Sequence, residues 1–406
     1  GDAQVFIGAA VGNMDVAAFF TKWMRDVADA QSPRGAFPDV APRLVDLSDG
    51  APAWGDCGVI VPWTIWRTYG DTRIIDEHWD AMERWIRWIH EANPDLLWRH
   101  RRMHDFGDWL AIGADTPKEL IGTAYFAWDA RLMAEMAEAT GRDEAAQRFR
   151  RLFDDIAAAF RKAYIADDGR IAGDTQTAYC LALHFGLLPP EQRPLAARHL
   201  VDDIAARGGH LSTGFVGVSY LCHVLTEAGY ADVAYDLLHT ETFPSWKYSI
   251  RHGATTIWER WDGWTEEKGF QDPGMNSFNH YSLGSVGEWM RRAMVGIDQA
   301  PGTAGYRHVV IRPRVHPSLT FAEGHYDSIR GRIRSRWERT ADRLVLEVEL
   351  PANVTAEVHV PAASDAAIRE SGEELNGAEG VDLLRREDAT AVLRIGSGTY
   401  RFEVSG

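Results

Sequence analysis

The hydrophobic period changes once along these 406 residues, and that change constrains the fold more than any other feature. Up to about residue 298 the apolar side chains recur at helical spacing. Ile75, Trp79, Met82, Ile86 and Ile89 share one helix face, as do Phe149, Phe153, Ile156 and Phe160, and Ile121, Tyr125, Trp128 and Leu132. Such stripes bury one side of each helix against a neighbour. They predict helices near 2–11, 15–30, 55–69, 72–91, 118–140, 143–165, 174–186, 190–207, 215–228, 230–240 and 276–296. After Ala300-Pro301-Gly302-Thr303 the period becomes two: Leu344, Leu346, Val348 and Leu350 alternate with polar residues, and so do Val354, Ala356, Val358 and Val360. Ala391, Leu393 and Ile395 face Tyr400, Phe402 and Val404 across Gly396-Ser397-Gly398, which predicts a hairpin. The expectation is two domains: a helical one over 1–298 and an antiparallel β-sandwich over 299–406.

Composition removes several function classes. Lys and Arg number 43 against 59 Asp and Glu, a net charge of −16, and no basic face suggests a nucleic-acid partner. The cluster Arg99-His100-Arg101-Arg102 is short and reads as a solvated loop. No apolar run approaches the roughly 18 residues of a membrane span, so no membrane partner is expected. Cys57, Cys180 and Cys222 lie far apart in apolar helical contexts, as small hydrophobes rather than metal ligands or a disulfide framework. No glycine-rich phosphate loop is present. Compartment and oligomeric state leave no mark in the sequence.

The unusual residues collect in the long connections 31–54, 92–117 and 241–275, and long connections in compact domains usually carry function. The first runs into Asp49-Gly50-Ala51-Pro52-Ala53-Trp54-Gly55-Asp56. The second holds His104-Asp105-Phe106-Gly107-Asp108-Trp109, and the third holds Thr256-Ile257-Trp258-Glu259-Arg260-Trp261-Asp262-Gly263-Trp264. A fourth group, Asn276-Ser277-Phe278-Asn279-His280-Tyr281, precedes the last predicted helix. Each sets a polar or acidic residue beside aromatic rings. Sugars suit this pairing, because a pyranose offers apolar C–H faces to flat rings and hydroxyls to charged acceptors. Glycosidic cleavage also needs two carboxyl groups across the bond. Structural readings stand beside these: Asp2 and Asp56 as helix N-caps, His280 as a core or capping histidine, Trp54 and Trp109 as packing residues. Glu259, with tryptophans at 258, 261 and 264, is the hardest to explain as structure, because a carboxylate among rings is costly without a partner.

Together the boxes Gly1-Asp2-Ala3-Gln4, Ala51-Pro52-Ala53-Trp54-Gly55-Asp56, Phe106-Gly107-Asp108-Trp109, Trp258-Glu259-Arg260-Trp261 and Phe278-Asn279-His280-Tyr281 resemble the α-L-rhamnosidases of glycoside hydrolase family 78. The resemblance covers the whole chain, including the β-rich tail. It implies an (α/α)6 barrel followed by a small antiparallel β-sandwich, and hydrolysis of terminal α-L-rhamnosyl residues with inversion. Glu259 falls on the family's general base. Asp2, Trp54, Trp109 and His280 fall on positions lining the rhamnose pocket, and Trp258 is counted with them. The substrate implied is a rhamnose-containing glycoside, and the mechanism needs no cofactor or metal. In the family the general acid lies just before the Gly-Asp-Ala-Gln box. It is therefore expected upstream of Gly1, with the barrel incomplete at its N-terminal side and this chain inactive alone. Two other readings remain: another (α/α)6 glycosidase, or a non-catalytic carbohydrate-binding fragment.

Overall fold

The computed structural model describes residues 1–45, 48–387 and 389–405. The chain divides into two compact units, one of Gly1–Thr64 with Thr72–Val286 and one of Ile65–Asp71 with Gly287–Gly406.

In the first unit two kinds of helix alternate. The even-numbered ones, α2 (Ala17–Asp29), α4 (Arg73–Ala92), α6 (Asp143–Tyr164), α8 (Arg193–Ala206) and α10 (Ala231–His239), each bury a single stripe. On α4 that stripe is the predicted one, with Ile75, Met82 and Ile89 at 0% exposure. The odd-numbered ones, α1 (Asp2–Asn13), α3 (Cys57–Tyr69), α5 (Lys118–Ala139), α7 (Gln176–His184) and α9 (Phe215–Glu227), are buried on most sides. Alanine and glycine permit this: Ala124, Ala127, Ala130, Ala134 and Ala137 let neighbours approach α5 closely while its larger side chains fill the gaps. Helix α5 packs on α6, α7 on α8 and α9 on α10, and α5, α7, α9 and α1 touch in succession. The three cysteines are buried thiols within this packing.

Helix boundaries agree with the period to within three residues, with two exceptions. Connection 241–275 is more structured than expected, holding a short helix, α11 (Trp246–Arg251), and a two-stranded hairpin, β1 (Trp264–Thr265) with β2 (Gly269–Phe270). The last helix starts later than residue 276. Residues 276–281 are irregular, a 3-10 turn covers Ser282–Ser285, and the helical run then goes from Val286–Trp289 into a π-helical Met290–Val295. The irregular piece is the fourth aromatic group, whose backbone pairs with another loop rather than with itself.

The second unit is a sandwich of two sheets. Strands β5 (Phe321–Ser328), β6 (Gly331–Arg339), β7 (Arg343–Leu350), β9 (Ala367–Glu370), β10 (Glu373–Glu374) and β13 (Gly398–Ser405) make one, in the order β10-β9-β13-β7-β6-β5. Strands β3 (Ile297–Gln299), β4 (His308–Ile311), β8 (Thr355–Pro361), β11 (Val381–Glu387) and β12 (Thr390–Ile395) make the other, ordered β11-β12-β8-β4-β3. All pairings are antiparallel except β4 with β8. Inward residues of both sheets, among them Ile333, Trp337, Leu346, Val358, Leu393 and Phe402, fill one core. The hairpin predicted around Gly396-Ser397-Gly398 does not form. Strand β12 pairs with β8 and β11, whereas β13 pairs with β7 and β9, so the chain crosses between sheets there. Alternation shows which face is buried, and two strands facing across a core alternate just as two paired strands do.

Candidate active site

Residues from the N-terminus of α1, from all three long connections and from the 276–281 segment meet through a closed circuit of contacts. The Trp54 ring stacks on Phe106, centroids 4.5 Å apart, and Phe106 meets Trp109 edge to face at 5.8 Å. The Trp109 carbonyl accepts the Phe215 N–H at 2.9 Å, and the Phe215 ring lies 5.3 Å from His280. His280 Nε2 is 3.4 Å from Asp2 Oδ2. Beside Asp2, a Cβ on Gly1 would stand 2.3 Å from Trp54 Nε1, so only glycine permits that approach and the circuit closes.

Glu259 joins at His280. The segments 256–259 and 277–280 run side by side: Glu259 N–H donates to Ser277 O at 2.8 Å, and His280 N–H to Ile257 O at 2.9 Å. The Ser277 N–H donates to Glu259 Oε2 at 2.9 Å. Oε1 carries no hydrogen bond among the described residues. One oxygen is thus anchored to backbone while the other is left for a ligand or water. Trp258 is 8% exposed, and its ring meets Phe278 edge to face at 5.1 Å. Trp261 is structural, donating from Nε1 to Thr213 O at 2.8 Å.

Electrostatics separate the two carboxylates from the imidazole between them. Burial works against the charged ring of His280, but Asp2 and then Glu259 outweigh it, and its pKa is raised. Burial likewise pushes Asp2 up, yet the hydrogen bond and charge of His280 hold it below the usual carboxylate range. Asp2 therefore stays ionised at neutral pH. It can accept hydroxyl hydrogen bonds and cannot serve as a proton donor.

Each tryptophan of the circuit sits on a braced, strained turn. Ala53, before Trp54, has φ of +64°, and Leu110, after Trp109, has +61°. A residue with a Cβ occupies that region at a cost, which surrounding bonds must offset. For Ala53 they do: its N–H donates to Asp56 Oδ2 at 2.6 Å, and its carbonyl accepts the Gln4 side-chain amide. Asp56 is fully buried and shares Trp85 Nε1 with Asp129, at 3.2 and 2.8 Å. Trp109 is held by Asp108, whose oxygens accept the N–H groups of Gly214, Val216 and Gly217 at 2.8, 2.9 and 3.1 Å, together with the Thr177 hydroxyl. A carboxylate on the first turn of α9 also meets the positive end of the helix. Sequence reasoning missed Asp129 and the Ser212-Thr213-Gly214 segment, which receives both loops. Asp108 was visible only as a neighbour of Trp109.

Residues 1–294 match the family model for the bacterial alpha-L-rhamnosidase 6 hairpin glycosidase domain, and residues 296–374 match that for the bacterial alpha-L-rhamnosidase C-terminal domain. The chain belongs to the bacterial α-L-rhamnosidase family. It is 45% identical over 404 residues to an alpha-L-rhamnosidase of Streptomyces avermitilis, covering 100% of this chain and 38% of that protein. An alpha-L-rhamnosidase of Formosa agariphila is 37% identical over 412 residues, covering 99% of this chain and 44% of its own length. The crystal structure of the Streptomyces avermitilis protein complexed with L-rhamnose superposes with a TM-score of 0.93, covering 100% of this chain and 38% of that one. That of alpha-L-rhamnosidase from Dictyoglumus thermophilum gives 0.92 at 30% identity, covering 100% and 45%. The chain thus spans about two-fifths of the length of these rhamnosidases.

Proposed function

We propose that the protein carrying this chain hydrolyses terminal α-L-rhamnosyl residues from rhamnosides with inversion, and that this chain supplies the base and much of the sugar-binding wall. In this reading residues 1–298 are an (α/α)6 barrel and 299–406 an appended β-sandwich. The reading rests on one observation: Glu259, with one oxygen anchored and one unoccupied, stands beside the Asp2–His280 pair in a circuit that also includes Trp54 and Trp109. In an inverting reaction a carboxylate takes the proton of a water attacking the anomeric carbon. Glu259 Oε1 is that acceptor. Asp2 and His280 bind hydroxyls, and Trp109 offers a ring to an apolar sugar face.

Glu259→Gln in the full-length protein keeps the shape, and the Ser277 bond if the side-chain carbonyl faces that N–H, but removes the base. It should lower kcat by roughly 10²- to 10⁴-fold, the usual contribution of acid–base catalysis, with little change in rhamnose affinity. Azide should partly rescue Glu259→Ala on a nitrophenyl rhamnoside. NMR of the first product of the unaltered protein should show β-L-rhamnose. Release of the α-anomer first, or a near-normal kcat for Glu259→Gln, would remove Glu259 from this role.

A further inference from the structure

Helices α4 and α6 lie side by side along a groove of about 520 Å³ that shares no residue with the circuit. We propose that this groove is a binding site for a phosphate or sulfate group, free or carried as an ester on a small molecule, held between Arg87 of α4 and Arg151 of α6. The proposal stands independently of the rhamnosidase reading.

Ion pairs set the alignment of the two helices. Arg142, at the start of α6, donates to Asp76 of α4 at 2.9 Å, and Arg148 pairs with Glu83. Along α4 the step from Asp76 to Glu83 is a rise of about 10 Å, and along α6 the step from Arg142 to Arg148 is about 9 Å. The helices therefore run in the same direction and in step. Rings brace them between these two rungs: Trp79 meets Phe149 edge to face at 6.1 Å, and the Arg142 guanidinium lies 4.7 Å over the Trp79 ring. One turn past the second rung come Arg87 on α4 and Arg151 on α6, about 6 and 4.5 Å further along. Both line the groove, from opposite sides and at nearly the same level. Where the first two rungs set a cation against a carboxylate, the third sets a cation against a cation.

Neither guanidinium has a hydrogen bond or an ion pair among the described residues, and both side chains are exposed. Other arginines of α6 do find carboxylates: Arg148 has Glu83, and Arg150 has Glu138. Two unpaired like charges across a groove repel, and an anion between them reverses the sign of that interaction. A tetrahedral oxyanion suits the place, because its oxygens accept from both planar forks at once, in pairs. His90, three residues on from Arg87, adds a donor to the same wall. Carboxylates close the cationic stretch at both ends, Glu83 before it and Asp155 after it. From Glu83 to His90 the helix rises only about 10 Å. That length holds one oxyanion and not a run of them, which excludes a nucleic-acid backbone. The chain as a whole carries −16, so the anion is held by these local partners and not by long-range attraction.

The test titrates inorganic phosphate, sulfate and glucose 6-phosphate into the full-length protein by calorimetry, at fixed ionic strength balanced with chloride. Each should bind saturably. Tighter binding of glucose 6-phosphate than of phosphate would mark an ester as the occupant, and equal or weaker binding would mark the free ion; both support the site. Arg87→Gln and Arg151→Gln should each weaken phosphate binding by about 10-fold or more, as expected for a lost charge-assisted bond, and the double variant should abolish it. Arg150→Gln removes the same charge from the same helix, but from an arginine paired with Glu138 outside the groove, and should leave the affinity unchanged. All three arginines are exposed, and far-UV circular dichroism checks that each variant is folded. Phosphate heats no larger than those of chloride overturn the proposal. So does phosphate affinity that survives in the double variant, or that falls as far with Arg150→Gln as with Arg87→Gln.

Discussion

At the scale of single residues, protons decide how the site is held. His280 is drawn toward its charged form by Asp2 and Glu259. A raised pKa means that its pairing contributes fully below the ordinary histidine value of 6.5 and is lost as pH rises through the higher folded value. Affinity for L-rhamnose, followed by calorimetry, should therefore decline on the alkaline side, and His280→Gln should flatten that decline. A flat profile in the unaltered protein would separate the pair from sugar binding. Beneath Trp54, burial and then the charge of Asp56 push the Asp129 carboxyl well above the carboxylate range, so it holds a proton. That proton gives Asp129 Oδ1, otherwise without a partner, a bond to Asp56. Asp129→Asn replaces the O–H donor with N–H and should stay within about 1 kcal/mol of the unaltered protein at pH 7. Asp129→Ala, which removes the shorter of the two bonds from Trp85 Nε1 and leaves a cavity, should cost about 2–4 kcal/mol. Equal losses in urea unfolding would show that Asp129 is not the protonated partner.

At the scale of elements, the start of α9 organises the site although it carries none of the predicted functional residues. Its first turn holds Asp108 by three backbone bonds, Phe215 holds the Trp109 carbonyl, and Thr213 accepts Trp261. A Cβ on Gly214 would lie 2.2 Å from the Trp109 carbonyl and 2.6 Å from that of Asp108, so the loop must move aside for any other residue. Gly214→Ala should raise KM for a nitrophenyl rhamnoside more than it lowers kcat, since Trp109 shifts and Glu259 does not. Asp108→Ala removes the cap and should cost about 2 kcal/mol of stability as well. A Gly214→Ala protein with unchanged KM would mean that Trp109 takes no part in binding. Asp108 stood beside Trp109 in the sequence, but its partners are 69 to 109 positions away, and no local pattern announces them.

At the scale of the whole molecule, the division into units does not follow chain order. Residues 65–71, the end of α3 and the turn after it, belong with the sandwich. There Gly305 N–H donates to Arg67 O at 2.9 Å, Gln299 donates to the same carbonyl at 3.0 Å, and the Arg67 guanidinium meets Thr303 O. A fragment of residues 287–406 made alone should lose hydrogen-exchange protection at the Gly305 amide while the β12–β8 ladder keeps it. Retained protection at Gly305 would show that the turn is held without residues 65–71. Helices α1 to α10, the stripe from Ile75 to Ile89, the strand faces and the boxes around Trp54, Trp109 and Glu259 were legible in the sequence. Each is a local property: a period, or an acid among rings. Which strand pairs with which was not legible, and the false hairpin at 396–398 shows why. Leu393 and Phe402 alternate identically whether their strands are bonded side by side or face each other across a core. Nor was the bracing of the site, in which Asp129 shares a proton with Asp56 and Gly214 yields to Trp109. These pairings join distant parts of the chain. Only the packing of α1, α3, α5, α7 and α9 brings those parts within hydrogen-bonding distance, and a burial pattern along the chain cannot say which ends will meet.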